Sequence, residues 1–509
     1  MTSAYDVAII GCGPTGAVLA NLLGAQGLSV AILEKDSGVY PICRATHLDE
    51  ETLRNFQLTG LMPRLRPFCA PFGSVEVVDA KGRVLMEEPL RGQGAGHGFP
   101  GSVFFDQPAF ESILREGFAR YPRVRLFADH ELIGLEQDAG GVTIRARQQQ
   151  TGEYHDFRAG FAVGCDGGRS PVRESLGIGM EALAPGRHWL IVDSLLRDGA
   201  DASLLPRHFR YLLARERLTI YAHGFGRNRR WEFQLGANEA MPDSRTLEAW
   251  LRPFIAPERL ELVRVVRYTH LSLVARSWQQ GRVLLAGDAA HMLPPAAGQG
   301  MCSGMRDAVN LAWKLAWVIN RRADPGLLAS YEAERRPHLE AMLKGSLFIS
   351  RQLQAETALG RWQRWLRFSL IGGLAPLQAF LRRLSVRRLP LTGGFLGPES
   401  PLRGQHLPQF SSGGHLSDDA LGYGWVLISL KDLPPAQSAR CDQQGIRVLH
   451  PLASWQTEFA AWLAEQDYAL VRPDKIVFSI GPMAQLQADL TLLASLAGRP
   501  VAFASVEED

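Results

Sequence analysis

The spacing of hydrophobic and polar positions changes several times along this chain, and the changes divide it. Asp6-Val7-Ala8-Ile9-Ile10 reads as a short buried strand and Leu28-Ser29-Val30-Ala31-Ile32-Leu33 as the next, with an apolar helix reaching Leu23 between them. That is a βαβ unit, which makes the two strands parallel. Just after Arg44 a helix is predicted that runs to Phe56, where apolar residues recur at helical spacing and Asp49, Glu50 and Glu51 favour its start. Residues 75–89 and 124–147 alternate apolar with polar side chains and predict antiparallel strands; a helix opening at Pro108 and ending near Tyr121 lies between them. Strand-like segments return at 188–193, 208–222 and 229–236, which predicts an antiparallel sheet inserted between two parts of one α/β fold. Arg282–Ala286 then reads as a buried strand, followed by a helix from about Met301 to Ile319.

Beyond 344 the pattern becomes basic and amphipathic. Lys344, Arg351, Arg361, Arg364, Arg367, Arg382, Arg383, Arg387 and Arg388 accompany Trp362, Trp365, Leu366, Phe368, Leu370, Leu374 and Phe380, and Glu356 is the only acid among them. A helical pair of this kind either packs on its own protein or lies on a membrane surface or an apolar partner. Past Pro398, strand signals at Trp425–Leu430, Ala469–Val471 and Lys475–Ile480 and helical patterns at 454–466 and 483–497 predict a separate small α/β domain. The expected organisation is therefore 1–180, the first part of the α/β domain with strands over 75–100 lent to the inserted sheet; 181–270, that sheet; 271–343, the second part; 344–399, the basic helices; and 400–509, the final domain.

Composition narrows the classes. The chain has 509 residues, 46% hydrophobic and 21% charged, which is ordinary for a globular protein of two or three domains. A formal net charge of +3 gives no case for a nucleic-acid partner. Six cysteines (Cys12, Cys43, Cys69, Cys165, Cys302, Cys441) are scattered without CxxC or metal-ligand spacing, so no disulfide framework and no metal site is expected. MTSAYDVAII runs straight into the first strand without a basic export signal, and the apolar run Phe368–Leu381 is too short to cross a bilayer, so the expected location is the cytoplasm, as a monomer or homodimer.

Three motifs carry chemistry. In the first turn Gly11 permits a tight bend, Gly13 lets backbone approach a pyrophosphate at a helix N-terminus, and Gly16 allows close helix–strand packing; Glu34 follows where a carboxylate can take both hydroxyls of an adenosine ribose. This fingerprint does not choose between NAD and FAD. Arg44 is either a solvated arginine or a fork reaching a phosphate or ribityl chain. Next comes the strand-to-helix turn Cys165-Asp166-Gly167-Gly168-Arg169, in which Asp166 and Arg169 could both address a dinucleotide. The third is AGDAAHMLPPAAGQG at 286–300. There Asp288 either accepts from sugar-like hydroxyls or stabilises its own turn, and the backbone at Gly298-Gln299-Gly300 can lie against a flat ligand. The helix that follows presents its N-terminus, which stabilises an adjacent anion by about 0.3–1 kcal/mol.

In this order, GCGPTG, CDGGRSPVR and AGDAAHMLPP resemble the class A FAD-dependent aromatic hydroxylases, the para-hydroxybenzoate hydroxylase-like monooxygenases, across essentially the whole chain. RATHLDEETLRNFQ, FFDQP, RRWEF and GQGMCSGMRDAVNLAWKL look closest to the 3-(3-hydroxyphenyl)propionate hydroxylase branch. The resemblance implies a Rossmann-like FAD-binding domain, an inserted antiparallel-sheet substrate domain and a C-terminal thioredoxin-like domain, the last without CxxC and so incapable of dithiol exchange. It assigns Glu34 to the adenosine ribose, Arg44 and Gln107 to the ribityl–pyrophosphate region, Asp166 and Arg169 to the pyrophosphate and the nicotinamide cofactor, Asp288 to the ribityl hydroxyls, and Pro295 and Gly298 to the border of the isoalloxazine. It further implies non-covalent FAD, reduction by NADH or NADPH, addition of dioxygen at C4a, and attack of an electron-rich aromatic ring on the distal oxygen of the hydroperoxide. A base near the phenol would help, with His47, His97, Tyr211, Tyr221 and His291 as candidates, and the inserted sheet (Tyr211, Tyr221, Arg230, Trp231, Gln234) would wall the pocket. Ala296 and Ala297 stand where relatives often carry something bulkier at the first position. With the 344–388 segment, Ala296 leaves open a hydroxylase or epoxidase of a larger apolar natural-product intermediate; the basic helices and the C-terminal domain leave open a flavin-binding interaction protein without oxygenase activity.

Overall fold

Val283–Leu285, Tyr154–Gly164, Ala4–Ile10, Val30–Glu34 and Val124–Ala128 lie side by side in that order, all parallel, in a computed structural model that describes residues 4–90, 96–201, 203, 205–214, 217–294, 298–353, 358–373, 389–451 and 454–498. The strands read as apolar runs because both faces are covered; every residue of Val30–Glu34 is buried. The helix Pro14–Ala25 covers one face and packs against the helix Gln299–Ile319, whose buried residues run unbroken from Cys302 to Val318. Tyr154–Gly164 outruns the parallel sheet and pairs with Gly141–Gln148 in an antiparallel extension that ends with His130–Asp138.

A second, eight-stranded sheet follows the order His291–Met292, Leu260–Ala275, Met180–Leu196, Asn228–Leu235, Leu218–Ala222, Phe209–Leu213, Ser74–Asp79, Val84–Pro89. It is antiparallel except where Phe209–Leu213 meets Ser74–Asp79. Residues 208–222 form two strands rather than one segment, and the helix Ser244–Leu251 and the long strand Leu260–Ala275 lie outside the elements the pattern predicts. In that strand Arg264 and Arg267 break up the apolar positions, Arg264 reaching Asp193 on the neighbouring strand and Arg267 donating to the Glu239 carbonyl in a loop. One face of the sheet carries Leu190, Val192, Tyr221, Trp231 and Phe233 beneath the helix Ser244–Leu251. The other carries Trp189, Phe209, Tyr211, Leu213 and Ile220 and meets Phe72 and Phe104 of the first domain.

The compositional shift at 344 is not an element boundary, since one helix runs Ala329–Leu353 and a second Ala358–Gly373. On the second, Leu359, Trp362 and Leu370 are exposed, while Arg364 folds inward and donates to the Leu353 carbonyl at 2.7 Å. Leu374, Phe380, Arg382, Arg383, Arg387 and Arg388 lie outside the described residues. Among those described, no helix is long and apolar enough to cross a membrane.

The last unit is a four-stranded sheet, Arg447–Leu449, Val426–Ser429, Tyr468–Val471, Val477–Gly481, with one parallel and two antiparallel pairings. It is joined to the first domain through buried charge. The fully buried Arg472 donates to Glu334 Oε1 and Oε2 at 3.0 and 2.7 Å and to Asp474 Oδ1 and Oδ2 at 3.0 and 2.6 Å. Glu334 also meets Lys314 at 2.8 Å, and Trp313 Nε1 donates to Asp474 at 3.2 Å. Burial alone would push the Glu334 carboxyl up, but Arg472 and Lys314 hold it down at about 2. For Lys314 the loss of water outweighs Glu334, and its ammonium falls to about 8.

Candidate active site

Because the strands are parallel and in register, the loops leaving their C-terminal ends meet at one rim, where open α/β sheets place ligands. Ile10 pairs with both Gly164 and Leu33, and Gly164 with Leu285, so Gly11, Glu34, Asp166 and Asp288 are brought together just beyond these positions. Gly11 adopts φ +98°, and a Cβ there would lie 2.4 Å from the Cys165 carbonyl oxygen; at Gly16 it would lie 2.1 Å from that of Gly11. These two glycines serve backbone packing. Gly13, at φ −72°, has nothing within 4 Å of a Cβ position, so the N-terminus of the helix Pro14–Ala25 is open there.

Each acidic side chain at the rim is held differently. Glu34 accepts from the Cys12 amide at 2.7 Å and the Asp36 amide at 3.0 Å, while Arg115, which the motifs did not reveal, donates to the Cys12 carbonyl at 2.9 Å and lies 4.0 Å from Glu34. Asp166 Oδ2 accepts from the Val172 amide at 2.9 Å, whereas its buried Oδ1 has no partner; burial raises this carboxyl against the bonds from Ser170 and Val172. Arg169 is exposed, and the neighbouring Arg173 instead ties two turns together by donating to the Gly168 and Ala289 carbonyls at 3.1 Å each. Asp288 is open to solvent at the rim but enclosed by protein on its other sides. Burial raises its carboxyl, His291 and Arg44 pull the other way, and no described residue hydrogen-bonds to it.

The segment carrying Arg44 is clamped from both sides. Gln107 Oε1 accepts from the Arg44 and Ala45 amides, both at 2.8 Å, and Arg230 of the second sheet donates to the Cys43 and Arg44 carbonyls, both at 2.6 Å. Arg230 is itself held by Asp193 Oδ1 at 2.6 Å. The Arg44 side chain stays 55% exposed, 3.7 Å from Glu111, and so can reach a ligand without disturbing its own backbone. A cavity of about 120 Å³ lies beneath this segment, bordered by Pro41, Cys43, Thr46, Phe105, Asn228 and Arg230.

Pro295 lies outside the described residues. Gly298, at φ +62°, precedes the helix Gln299–Ile319, and a Cβ on it would fall 1.7 Å from His47 Cε1. His47 stands between the two sheets, edge-on to Phe72 and Phe209 at 6.3 and 5.9 Å, and burial lowers its pKa so that it is neutral at pH 7. Tyr211 is next to Phe209 on the same face, its hydroxyl kept protonated by burial. Thus His47 and Tyr211 share one apolar cluster. Tyr221 and Trp231 are on the opposite face, 5.3 Å apart, with the Tyr221 hydroxyl 3.3 Å from His223. His291 is enclosed, its Nε2 2.6 Å from Asp307 Oδ2, and His97 lies against Arg54 and His406 at the C-terminal unit.

On the face that carries Tyr211, sequence reasoning singled out Arg230 and Gln234 but not Glu232 or His270. Glu232 and His270 are both buried, with His270 Nε2 3.8 Å from Glu232 Oε2; the His270 ring stacks on Trp189 at 5.0 Å and 16°. Tyr268, half exposed, lies within electrostatic reach of Asp288, Glu232 and Arg44, which places this group opposite the rim. Alternation in Arg230-Trp231-Glu232-Phe233-Gln234 could have found Glu232, since it shares a face with Arg230. His270 had no such signal.

The open side of Gly13, the partnerless Asp166 Oδ1 and the partnerless Asp288 fit a dinucleotide lying across the rim. Residues 4–346 match the family described as FAD binding domain. A 3-(3-hydroxy-phenyl)propionate/3-hydroxycinnamic acid hydroxylase of Burkholderia vietnamiensis is 38% identical over 66% of this chain, which spans 61% of that protein. A probable NADH-specific resorcinol 4-hydroxylase of Rhodococcus jostii is 34% identical over 98% of this chain and 96% of its own length. The solved flavin-dependent monooxygenase PieE, in complex with FAD and substrate, superposes with a TM-score of 0.80 at 20% identity, covering 97% of this chain and 99% of that one, which shows a shared fold. The chain belongs to the FAD-binding-domain family of aromatic hydroxylases.

Proposed function

We propose that this chain hydroxylates a phenolic ring, using a reduced nicotinamide and dioxygen on a non-covalently bound FAD. The name of the Rhodococcus relative favours NADH as the reductant. When bound, FAD would supply the electron relay and the activation of oxygen that no side chain here can. Glu34 would hold the adenosine ribose, Gly13, Asp166 and Arg169 the pyrophosphate, Arg44 and Gln107 the span beside it, and Asp288 the ribityl hydroxyls. The segment from Gly298 and the helix Gln299–Ile319 would face the ring system with a positive helix end. The inserted sheet would serve as the substrate domain and the C-terminal unit as a thioredoxin-like domain without dithiol chemistry. His47, neutral at pH 7, is the group we assign to accept the phenolic proton, with Tyr211 as part of the pocket wall. Burial of the cluster around His47 and Phe209 would keep water from the reacting ring.

The observation that carries this reading is the Asp288 carboxylate, poised at the rim and bonded to nothing among the described residues. Purified protein is expected to be yellow, and NADH oxidation is expected to accelerate with a phenol. Asp288→Ala is expected to lower FAD affinity by about tenfold or more, as loss of a charge-assisted hydrogen bond implies. A colourless protein that takes up no FAD would refute the reading, as would NADH oxidation indifferent to a broad panel of phenols.

A further inference from the structure

Glu232 and His270 come from strands separated by a third, Met180–Leu196, on which they stand opposite Ile191 and Arg187, so both the intervening strand and an offset along it separate their backbones. Their side chains nevertheless lean together over that strand until Nε2 and Oε2 are 3.8 Å apart, too far for a hydrogen bond to each other and close enough for both to reach one intervening hydroxyl. His270 is 96% buried by its 4% exposure, and its Nε2 has no hydrogen-bond partner. No described residue hydrogen-bonds to the Glu232 carboxylate either. A buried donor or acceptor left in this state is destabilising unless a ligand answers it. Trp189, stacked on His270, fixes the ring plane.

The surrounding cations are otherwise engaged. Arg230 and Arg264 both close on Asp193, each at 2.6 Å, the exposed Arg187 already has a partner, and Arg44 is the side chain assigned above to the dinucleotide. The described part of this face therefore offers a buried acid, a histidine and phenol hydroxyls, with no free guanidinium to neutralise a substrate carboxylate.

Resting on the hydroxylase reading, we propose that Glu232 and His270 form a subsite for a substrate hydroxyl, and that the pocket takes an uncharged hydroxylated aromatic rather than an aromatic carboxylic acid. The hydroxyl donates to one member of the pair and accepts from the other. Burial supports this: it drives His270 down to about 3, so the ring is neutral and offers no cation to a substrate carboxylate, and it raises the Glu232 carboxyl against the pull of Arg230 and Arg264. His47 remains the acceptor for the proton of the reacting phenol, so the two sites read different polar groups.

The test is equilibrium binding to the FAD-loaded full chain, read by calorimetry, of two ligands that share the phenol and the three-carbon chain and end in a carboxylate or a hydroxyl: 3-(3-hydroxyphenyl)propionate and 3-(3-hydroxyphenyl)propan-1-ol. Wild type is expected to bind the alcohol about tenfold or more tightly than the acid, and Glu232→Gln to bring the ratio within about threefold. His270→Asn is expected to weaken the alcohol selectively, with flavin content unchanged. Equal or tighter binding of the acid by wild type overturns the proposal without any variant, as does a ratio that survives Glu232→Gln. A holoenzyme that no phenol drives to oxidise NADH would refute the hydroxylase reading whatever the binding ratio. One driven by the acid and not by the alcohol would refute only the subsite.

Discussion

Gly13 and Gly16 belong to one motif but answer to different neighbours, and the difference can be measured. Adding a methyl group at Gly13 meets no protein atom, so Gly13→Ala is expected to leave the melting temperature of the FAD-free chain within about 2 °C while reducing FAD affinity by about tenfold. At Gly16 the same methyl meets the Gly11 carbonyl at 2.1 Å, and Gly16→Ala is expected to lower stability by about 1–3 kcal/mol or more in the same melts. Gly298→Ala combines a positive φ with a collision against His47, so it is expected to destabilise the chain and to displace the imidazole, visible as a shifted His47 resonance by NMR. The packing roles of Gly11 and Gly16 were legible in the sequence, because their spacing in the turn implies close backbone approach. His47 was legible as a candidate, but its place between Phe72 and Phe209 depends on contacts from distant parts of the chain that no local pattern encodes.

At the scale of elements, the strand Asn228–Leu235 does two jobs by alternation. Arg230, Glu232 and Gln234 turn toward the first domain, while Arg229, Trp231 and Phe233 turn away from it. Through Arg230 the second sheet grips the Cys43 and Arg44 carbonyls, so the loop that presents Arg44 is part of the sheet's edge in mechanical terms. Arg230→Ala is expected to weaken FAD binding by about tenfold through that loop, since each hydrogen bond to a charged group contributes about 1.5–3 kcal/mol, while Asp193 keeps Arg264 and the sheet persists by circular dichroism. Hydropathy made the strand and its period readable. It could not say which face met the cofactor domain, so Tyr211 and Tyr221 looked equivalent until pairing put Tyr221 opposite Arg210 and Tyr211 opposite Ile220. The strand Leu260–Ala275 escaped because Arg264, Arg267 and His270 disguise its alternation.

Across the whole molecule, the C-terminal unit is joined by charges that have no access to water. Glu334 and Asp307, both held at about 2 in the folded chain, are carboxylates whose pKa lies below the ordinary values of 4.5 and 3.8. A depressed carboxyl stabilises the fold fully above its ordinary pKa and loses that contribution as pH falls toward the depressed one. Melting temperature is therefore expected to hold down to about pH 4.5 and to decline steeply between there and pH 2, and Glu334→Gln is expected to flatten that decline while lowering stability at pH 7 by about 3–5 kcal/mol, as for any broken buried pair. The changes of period between strand and helix were visible in the sequence. The buried joint to the C-terminal unit was not, because Lys314, Glu334, Arg472 and Asp474 are far apart along the chain and each alone looks like an ordinary surface charge.

The Arg472 junction also limits how this chain can be recombined. A tail exchanged from a relative would arrive with its own guanidinium and carboxylate but would meet Lys314, Asn310 and Glu334 on helices inherited from the other parent. Chimeras cut near residue 400 are therefore expected to fold only when those three positions are kept with the tail, which ties the final unit to both the helix that begins beside His47 and the helix Ala329–Leu353.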